Sequence, residues 1–373
     1  MTTKAEAVVA KVSKDPTATL TAEDAEALLA QKNRTLMMEK LLGMYFFKQG
    51  KFEEALVHAQ KAFETEKTNE NAKNIALLMR KAGRTPDAIK FALAHEELYE
   101  PIIFNDVMCM MYGDIREVEP AVRHGTKSLE LKDAGSGTAP KIVPMIHNVE
   151  GYTPGKKVIA FSLWGRDQRY LTGALNNAIV GRYLYPGWTL RFYVDKSVPP
   201  EFNRQLKQNG AQVLVAPDAM PAATYGLFWR FMVEDDENVD VYIVRDADSV
   251  MNIRERVAVQ AWLESGKAFH VMRDLPTHSE LILAGMWGAH RGNIGNMRAR
   301  VTQHLDAEQK RMNNVTTDQV FLRNVIWPIV KQDALVHDAH FNFGDPVRFD
   351  PSYPLPGTMH IGQNDWANYR RTG

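Results

Sequence analysis

Asp246 and Asp248, in the run Arg245-Asp246-Ala247-Asp248-Ser249, are the residues whose type and spacing bear most directly on chemistry. Two carboxylates this close in sequence repel when both are ionised, and a divalent cation that prefers hard oxygen ligands relieves the repulsion. The same cation can neutralise a diphosphate. A structural role competes with that reading, because aspartates after a strand cap the next helix or accept turn hydrogen bonds. The residues ahead of the pair (Val239, Val241, Tyr242, Ile243 and Val244) are β-branched or aromatic, as in a buried strand that empties into a polar loop.

Alternating elements around that strand are expected to position the pair. KKVIAFSLWG, Lys156 to Gly165, reads as a strand feeding a glycine turn, and the helix after it carries apolar residues at Leu171, Leu175, Ile179 and Tyr183. A strand at Trp188 to Asp195, a short helix at Glu201 to Asn209, the strand AQVLVAP and a helix near Leu227 to Val233 lead to the aspartate strand. A helix at Ile253 to Ser265 and the strand AFHVMRD follow. The pattern predicts an α/β domain over residues 156–373, with a mostly parallel sheet covered on both faces. Such sheets bind ligands beyond the carboxyl ends of their strands, where Asp246, Asp248 and Ser162 to Gly165 fall.

Residues 1–135 read as all-α. Thr21 and Asp24 give a capping-box start to a helix through Leu29. Gly83 and Ala88 follow Gly50 and Ala55 by 33 positions each, and a degenerate third unit runs from about Tyr112 to Leu131. This spacing resembles the tetratricopeptide repeat, with its period of about 34 residues. Helical pairs of that kind stack because none buries its apolar face alone. The domain then acts as a scaffold, including a homodimer surface, or as a groove for a peptide or acceptor. Ala134 to Ala139 is small and flexible, and residues 136–155 are expected to form a linker.

A chain of 373 residues can hold two domains, each with its own core. Lys+Arg and Asp+Glu balance at 45 each, which removes any global electrostatic case for a nucleic-acid partner. The single cysteine, Cys109, cannot form an intramolecular disulfide and fits a reducing compartment, buried in a helix. The sequence has no signal-peptide core, and no run approaches the roughly 20 apolar residues of a membrane span. A cytoplasmic protein without a membrane span is expected. The absence of G-x-x-x-x-G-K-[ST], G-x-S-x-G and H-E-x-x-H motifs ranks phosphoryl transfer and hydrolysis last.

From Lys156 to about Asp365 the chain resembles the GT-A glycosyltransferases, in which an acidic pair holds a cation that binds the diphosphate of a nucleotide sugar. The resemblance rests on several positions in chain order: AFSLWG at Ala160 to Gly165, the Asp246/Asp248 pair, LILAGMWGAH at Leu281 to His290, TTDQVFLRNVIWP with Asp318 and Gln319, and TMHIGQ with His360 and Gly362. The last two are similar to the Asp-Gln and His-x-Gly patterns of the glycogenin type and related galactosyltransferases. The resemblance implies donor contacts from Ser162, Leu163, Trp164, Arg230, Arg245, Asp246, Gly285 and Trp287. It also implies a cation, Mn²⁺ or else Mg²⁺, held by Asp246, Asp248 and His360, and reaction-centre roles for Asp318 and Gln319. The donor would be a UDP-sugar, with a GDP-sugar as alternative, and the acceptor a glycan, glycolipid or protein hydroxyl.

Each position has a plainer reading. Trp164 and Trp287 serve equally as core or rim aromatics. Gly285 and Gly288 permit close backbone packing, His360 can be a surface histidine, and Asp318 can be an N-cap. Arg230 and Arg245 are solvated or bind diphosphate through guanidinium geometry. Asp274 and His278 could face the acceptor. On the enzymatic reading, the cation stabilises the departing nucleoside diphosphate. Asp318 is then a general base for inversion, or the Asp318-Gln319 pair supports the sugar for retention, which the Asp-Gln similarity favours. The competing reading is a repeat-based binding protein whose α/β domain is inactive.

Overall fold

The computed structural model describes residues 3–15, 18–147, 156–309, 317–357 and 359–364. Thr316 and Thr358 of the two C-terminal motifs, residues 148–155 of the expected linker and residues 365–373 lie outside them. The chain divides into two units, Met1–Leu131 and Lys132–Gly373.

The first unit is built of helices: α1 (Lys4–Lys14), α2 (Ala22–Leu29), α3 (Leu36–Lys48), α4 (Phe52–Thr65), α5 (Asn69–Lys81), α6 (Thr85–Ala94), α7 (Pro101–Asp114) and α8 (Val118–Gly135), the last running past the unit boundary. Thr21 and Asp24 form the expected capping box. The turns of three successive pairs are the same turn. Lys51 N donates to Phe46 O, Arg84 N to Met79 O and Glu117 N to Tyr112 O, each bond 33 residues after the last. Such a return bond at a helix end requires one left-handed residue, supplied by Gly50, Gly83 and, in the third pair, Arg116 at φ 62°. Ala55, Ala88 and Ala121, at the same phase, are fully buried where neighbouring helices meet. The third unit therefore repeats the turn of the first two with Arg116 in the place of glycine, and the helical unit is tetratricopeptide-like. Cys109 is buried in α7.

The second unit carries seven strands: β1 (Lys157–Leu163), β2 (Thr189–Val194), β3 (Gln212–Val215), β4 (Val241–Val244), β5 (Phe269–Arg273), β6 (Trp287–His290) and β7 (Ala334–Asp338). They form one sheet in the order β3-β2-β1-β4-β6-β5-β7, parallel except for β6. The connecting helices are α9 (Gln168–Leu184), α10 (Pro200–Gln208), α11 (Ala222–Tyr225), α12 (Ile253–Ser265), α13 (Met297–Gln309), α14 (Thr317–Phe321) and α15 (Trp327–Val330). Residues 226–235, expected to be α-helical from Leu227 to Val233, form a tighter 3₁₀ segment.

Both faces of the sheet are buried, which is why β4 reads as an unbroken apolar run and β1 and β2 are apolar apart from Lys157, Ser162, Thr189 and Arg191. Ile159, Phe161, Phe192 and Ile243 pack with Leu171 of α9, Leu206 of α10 and Trp262 of α12. On the other face Trp287 meets Tyr242 and Phe231, which stacks on Phe321.

The expected apolar face of α9 holds at Leu171 and Leu175 but not beyond them. The face that α9 buries is Leu171, Gly173, Ala174, Asn177, Ala178 and Gly181, while Ile179 is exposed and Tyr183 is 70% exposed. Close backbone approach selects small residues over the apolar stripe. Residues 136–147 do not hang free either. Ile142 N bonds Gln332, Met145 N bonds Asn293, and His147 bonds both His290 and Arg291. Among the described residues no helix is long and apolar enough to cross a membrane.

Candidate functional site

The chain leaves β1 for β2 and β3 on one side and returns to β4 on the other, so the strand order reverses between β1 and β4. Loops diverge at such a switch point and open a crevice beyond the carboxyl ends. A cleft of about 460 Å³ lies there, lined by Ser162 to Asp167, Arg169, Tyr170, Leu227, Arg230, Asp246 to Asp248, Gly362 and Asn364. Sequence reading brought Ser162, Leu163, Trp164, Arg230, Asp246 and Asp248 to this place.

α9 fixes the acidic loop. A Cβ on Gly173 would lie 2.5 Å from Asp248 Cα, so only glycine lets the helix approach that closely. One turn on, buried Asn177 donates to Ala247 O (3.1 Å) and Ser249 O (2.7 Å) and accepts from Met251 N (3.2 Å). Gly285 closes the loop from the other side, because a Cβ there would lie 2.2 Å from Asp246 Oδ2. The glycine makes room for the carboxylate.

Both acids are charge-paired. Arg230 Nη1 donates to Asp246 Oδ1 and to Arg245 O (3.3 Å), while its Nη2 reaches Asp318 Oδ2 (3.2 Å). Its backbone N–H donates to Ser162 Oγ at 3.0 Å. Arg169 Nε donates to Asp248 Oδ2 at 2.5 Å, joined by Nη2. Burial, and then the charge of Asp246, holds the Asp248 carboxyl above its ordinary range despite Arg169. Asp318 is likewise raised by burial and by Asp246, against the pull of Arg230. A buried acid with a raised pKa that lines a cleft beside a second carboxylate, as Asp248 does beside Asp246, marks a candidate functional site.

Other residues named from sequence lie elsewhere. Arg245 is fully buried and bonded to Glu255 (3.0 Å) rather than to the cleft, because consecutive residues leaving a strand point to opposite sides. Trp287 is fully buried in the aromatic core. Neither can contact a donor in this cleft. Asp318 and Gln319 stand one layer back and are not among the lining residues. With its amide turned to satisfy both atoms, Gln319 donates to Ile282 O (2.8 Å) and accepts from Ala284 N (3.1 Å), gripping the loop that ends at Gly285. Asp274 binds Arg254 (3.0 Å) and Ile361 N (3.0 Å), and burial pushes the His278 imidazole down to about 3, so this pair anchors the C-terminal segment.

That segment reaches the cleft without His360. Asn364 bridges to Ser249, and Val250 N bonds Gln363 O (3.0 Å). His360 Nδ1 instead lies 2.9 Å from Ile361 O, with its ring edge-on to His278. Among the described residues no group of three His, Cys, Asp or Glu side chains is disposed to hold a metal ion. The aspartate pair nonetheless has a donor set that fits a hard divalent cation, which typically takes one or two carboxylates and completes its shell with phosphates and water. The guanidinium groups of Arg169 and Arg230 stand on those oxygens as positive charges.

Sequence reading missed Arg166, Arg169, Tyr170, Gly173 and Asn177. The available signal was an Asn-Asn pair inside an apolar helix, since a mid-helix asparagine competes with the backbone unless it has a use.

No family model and no curated protein sequence matches the chain. Among solved structures, a MamA mutant aligns over 34% of this chain and 75% of its own, at 18% identity and a TM-score of 0.29. A mutant of the Thermobaculum terrenum O-GlcNAc transferase aligns over 65% of this chain and 46% of its own, at 10% identity and a TM-score of 0.41. The chain thus spans less than half of that transferase's length. At such TM-scores neither likeness carries an argument about this chain.

Proposed function

We propose that the sheet unit is a GT-A-type glycosyltransferase that binds a nucleoside-diphosphate sugar in the cleft between β1 and β4, a UDP-sugar before a GDP-sugar, and transfers the sugar to a hydroxyl acceptor. The observation that supports it is the convergence of Trp164, Arg166, Arg169, Arg230, Asp246 and Asp248 on one crevice at the switch point. Trp164 offers a partly exposed aromatic surface at the rim, held over Gly226. The arginines offer planar donors for phosphate oxygens. A Mn²⁺ or Mg²⁺ ion on Asp246 and Asp248, when bound, would stabilise the charge that builds on the leaving diphosphate.

The chain's own groups set the rest. Arg230, anchored on Asp318, keeps Asp246 in place, and Gln319 holds the Ile282–Ala284 stretch so that Gly285 stays clear of that carboxylate. Asp318 and Gln319 therefore act through Arg230 and the glycine loop, as positioning residues. Thermal unfolding with UDP or GDP plus Mn²⁺ tests the reading: a rise in Tm for wild type that Asp248→Ala abolishes supports it, and no rise in wild type overturns it.

A second reading, a repeat-based binding protein with an inactive sheet unit, is favoured by a groove of about 590 Å³ in the helical unit, lined by Met37, Leu41, Met44, Phe47 and Leu77 with Glu39 and Lys40. It predicts partner capture that survives substitution of Asp246 and Asp248, with no turnover of nucleotide sugars.

A further inference from the structure

The two arginines on the acidic pair differ in freedom. Arg230 has a side chain only 4% exposed, held at both ends of its guanidinium by carboxylates and tied through its backbone to Ser162. It is a fixed part of the wall. Arg169 rises from the first turn of α9, and its side chain is 39% exposed, with the guanidinium also 5.1 Å from the Tyr170 ring. Its partner Asp248 has a side chain only 8% exposed, beside a second aspartate that is half open to the cleft.

We propose that Arg169 is a donor-phosphate residue held in reserve on Asp248, so that divalent cation and nucleoside diphosphate enter the cleft together: the cation takes Asp248, and the displaced guanidinium takes a phosphate oxygen. The inference rests on the transferase reading. It follows from the charges lining the cleft, where Arg166, Arg169 and Arg230 face Asp167, Asp246 and Asp248. A cation arriving alone meets a guanidinium on the oxygen it needs, and two positive charges on one carboxylate repel. A diphosphate arriving alone can draw Arg169 away only by leaving a poorly solvated carboxylate without its counter-ion next to Asp246, which is costly in a buried setting.

Each ligand removes the obstacle to the other. Binding is therefore positively coupled, and linkage makes the coupling the same whichever ligand comes first. The guanidinium fork suits the exchange, since it satisfies carboxylate and phosphate oxygens with the same planar donors. No bond is made or broken in it.

The test is Mn²⁺ binding to the full chain by electron paramagnetic resonance, with and without UDP or GDP, for wild type, Arg169→Gln and Arg169→Lys. Wild type should bind Mn²⁺ weakly alone and about tenfold or more tightly with nucleotide, within the usual range of coupling between two ligands. Arg169→Gln should bind Mn²⁺ alone several-fold more tightly and nucleotide about tenfold more weakly, with most of the coupling lost. Arg169→Lys, which keeps the charge without the fork, should retain part of it, and decides the matter should the glutamine variant unfold. Wild-type affinities and wild-type coupling in both variants, or nucleotide binding to wild type without coupling, would overturn the inference and leave the cleft as the nucleotide site. A wild-type protein that binds neither UDP nor GDP with Mn²⁺ overturns the transferase reading itself.

Discussion

Glu39 in the helical unit and Asp248 in the sheet unit are both buried carboxylates bonded to an arginine, yet their electrostatics run in opposite directions. Glu39 receives His58 Nδ1 at 2.6 Å and Arg34 Nε at 2.7 Å. Burial pushes its carboxyl up, but the bonds from His58 and Arg34 outweigh it and hold the pKa below 4.5. Asp248 has one arginine and a neighbouring aspartate, and stays above its ordinary 3.8. A fully compensated buried acid ties helices together. On the proposed reading, one left undercompensated beside a second acid takes a positive ligand, a distinction that cavity size misses. The larger cavity, about 590 Å³, is in the helical unit, and the smaller collects the charges.

The sharpest way to break this contrast uses two buried arginines of the sheet unit. Arg230→Met strands Asp246 and Asp318, and Arg245→Met strands Glu255, so each should cost about 3–5 kcal/mol in urea unfolding. Only Arg230→Met should also weaken UDP–Mn²⁺ binding, measured by calorimetry on folded protein. Equal nucleotide affinities would mean that Arg230 is no more part of the site than Arg245.

Next in size, Asp248→Asn should lower sugar-nucleotide turnover by at least about a hundredfold, the upper end of what altering a mere supporting residue costs a metal site. The same variant, without ligand, should unfold at a higher temperature at pH 7, gaining about 0.5–2 kcal/mol as other strained sites do when relieved. Glu39→Gln should do the reverse, losing about 1–3 kcal/mol by weakening two buried bonds, with nucleotide binding unchanged.

Their pH dependence separates them further. The folded pKa of Glu39 is depressed, so its contribution is complete above about 4.5 and is lost as pH falls through the folded value. That of Asp248 is raised, so its ionisation opposes folding, and the penalty grows as pH rises from 3.8 through the folded value. Unfolding curves for the two variants against wild type, from pH 3 to pH 7 by roughly one-unit steps, should diverge with opposite sign.

The fold was legible where one physical demand dominates a stretch of residues. A strand buried on both faces needs apolar residues throughout, and β4 announces itself with the aspartates at its exit. The repeats were legible through Gly50 and Gly83, while the third was obscured because Arg116 occupies the left-handed turn. That substitution supplies the smallest prediction. Arg116→Gly should stabilise the helical unit by about 0.5–1 kcal/mol, the left-handed strain less glycine's entropy, read as a rise in Tm of a few degrees.

The site was half legible. Residue type and strand position located Asp246 and Asp248, and strand alternation turns Arg245 away from Asp246, but its partner Glu255 is set by the packing of α12. Asp318 and Gln319 stood out by type, whereas their position behind Arg230 is set by packing. Arg169 was invisible because its partner lies 79 residues further on, and Asn177, flagged only by the Asn-Asn pair, has its first partner 70 residues away.

Gly173 has a mechanical consequence. With its backbone against Asp248 and Asn177 gripping three loop positions, the start of α9 and the acidic turn form one rigid piece. An arginine leaving one for a ligand on the other then needs only rotation about its own side-chain bonds, a nanosecond event for a partly exposed residue. Such a swing is far too fast to set the pace of the proposed transfer; slow steps would have to come from walls of the crevice that α9 does not brace.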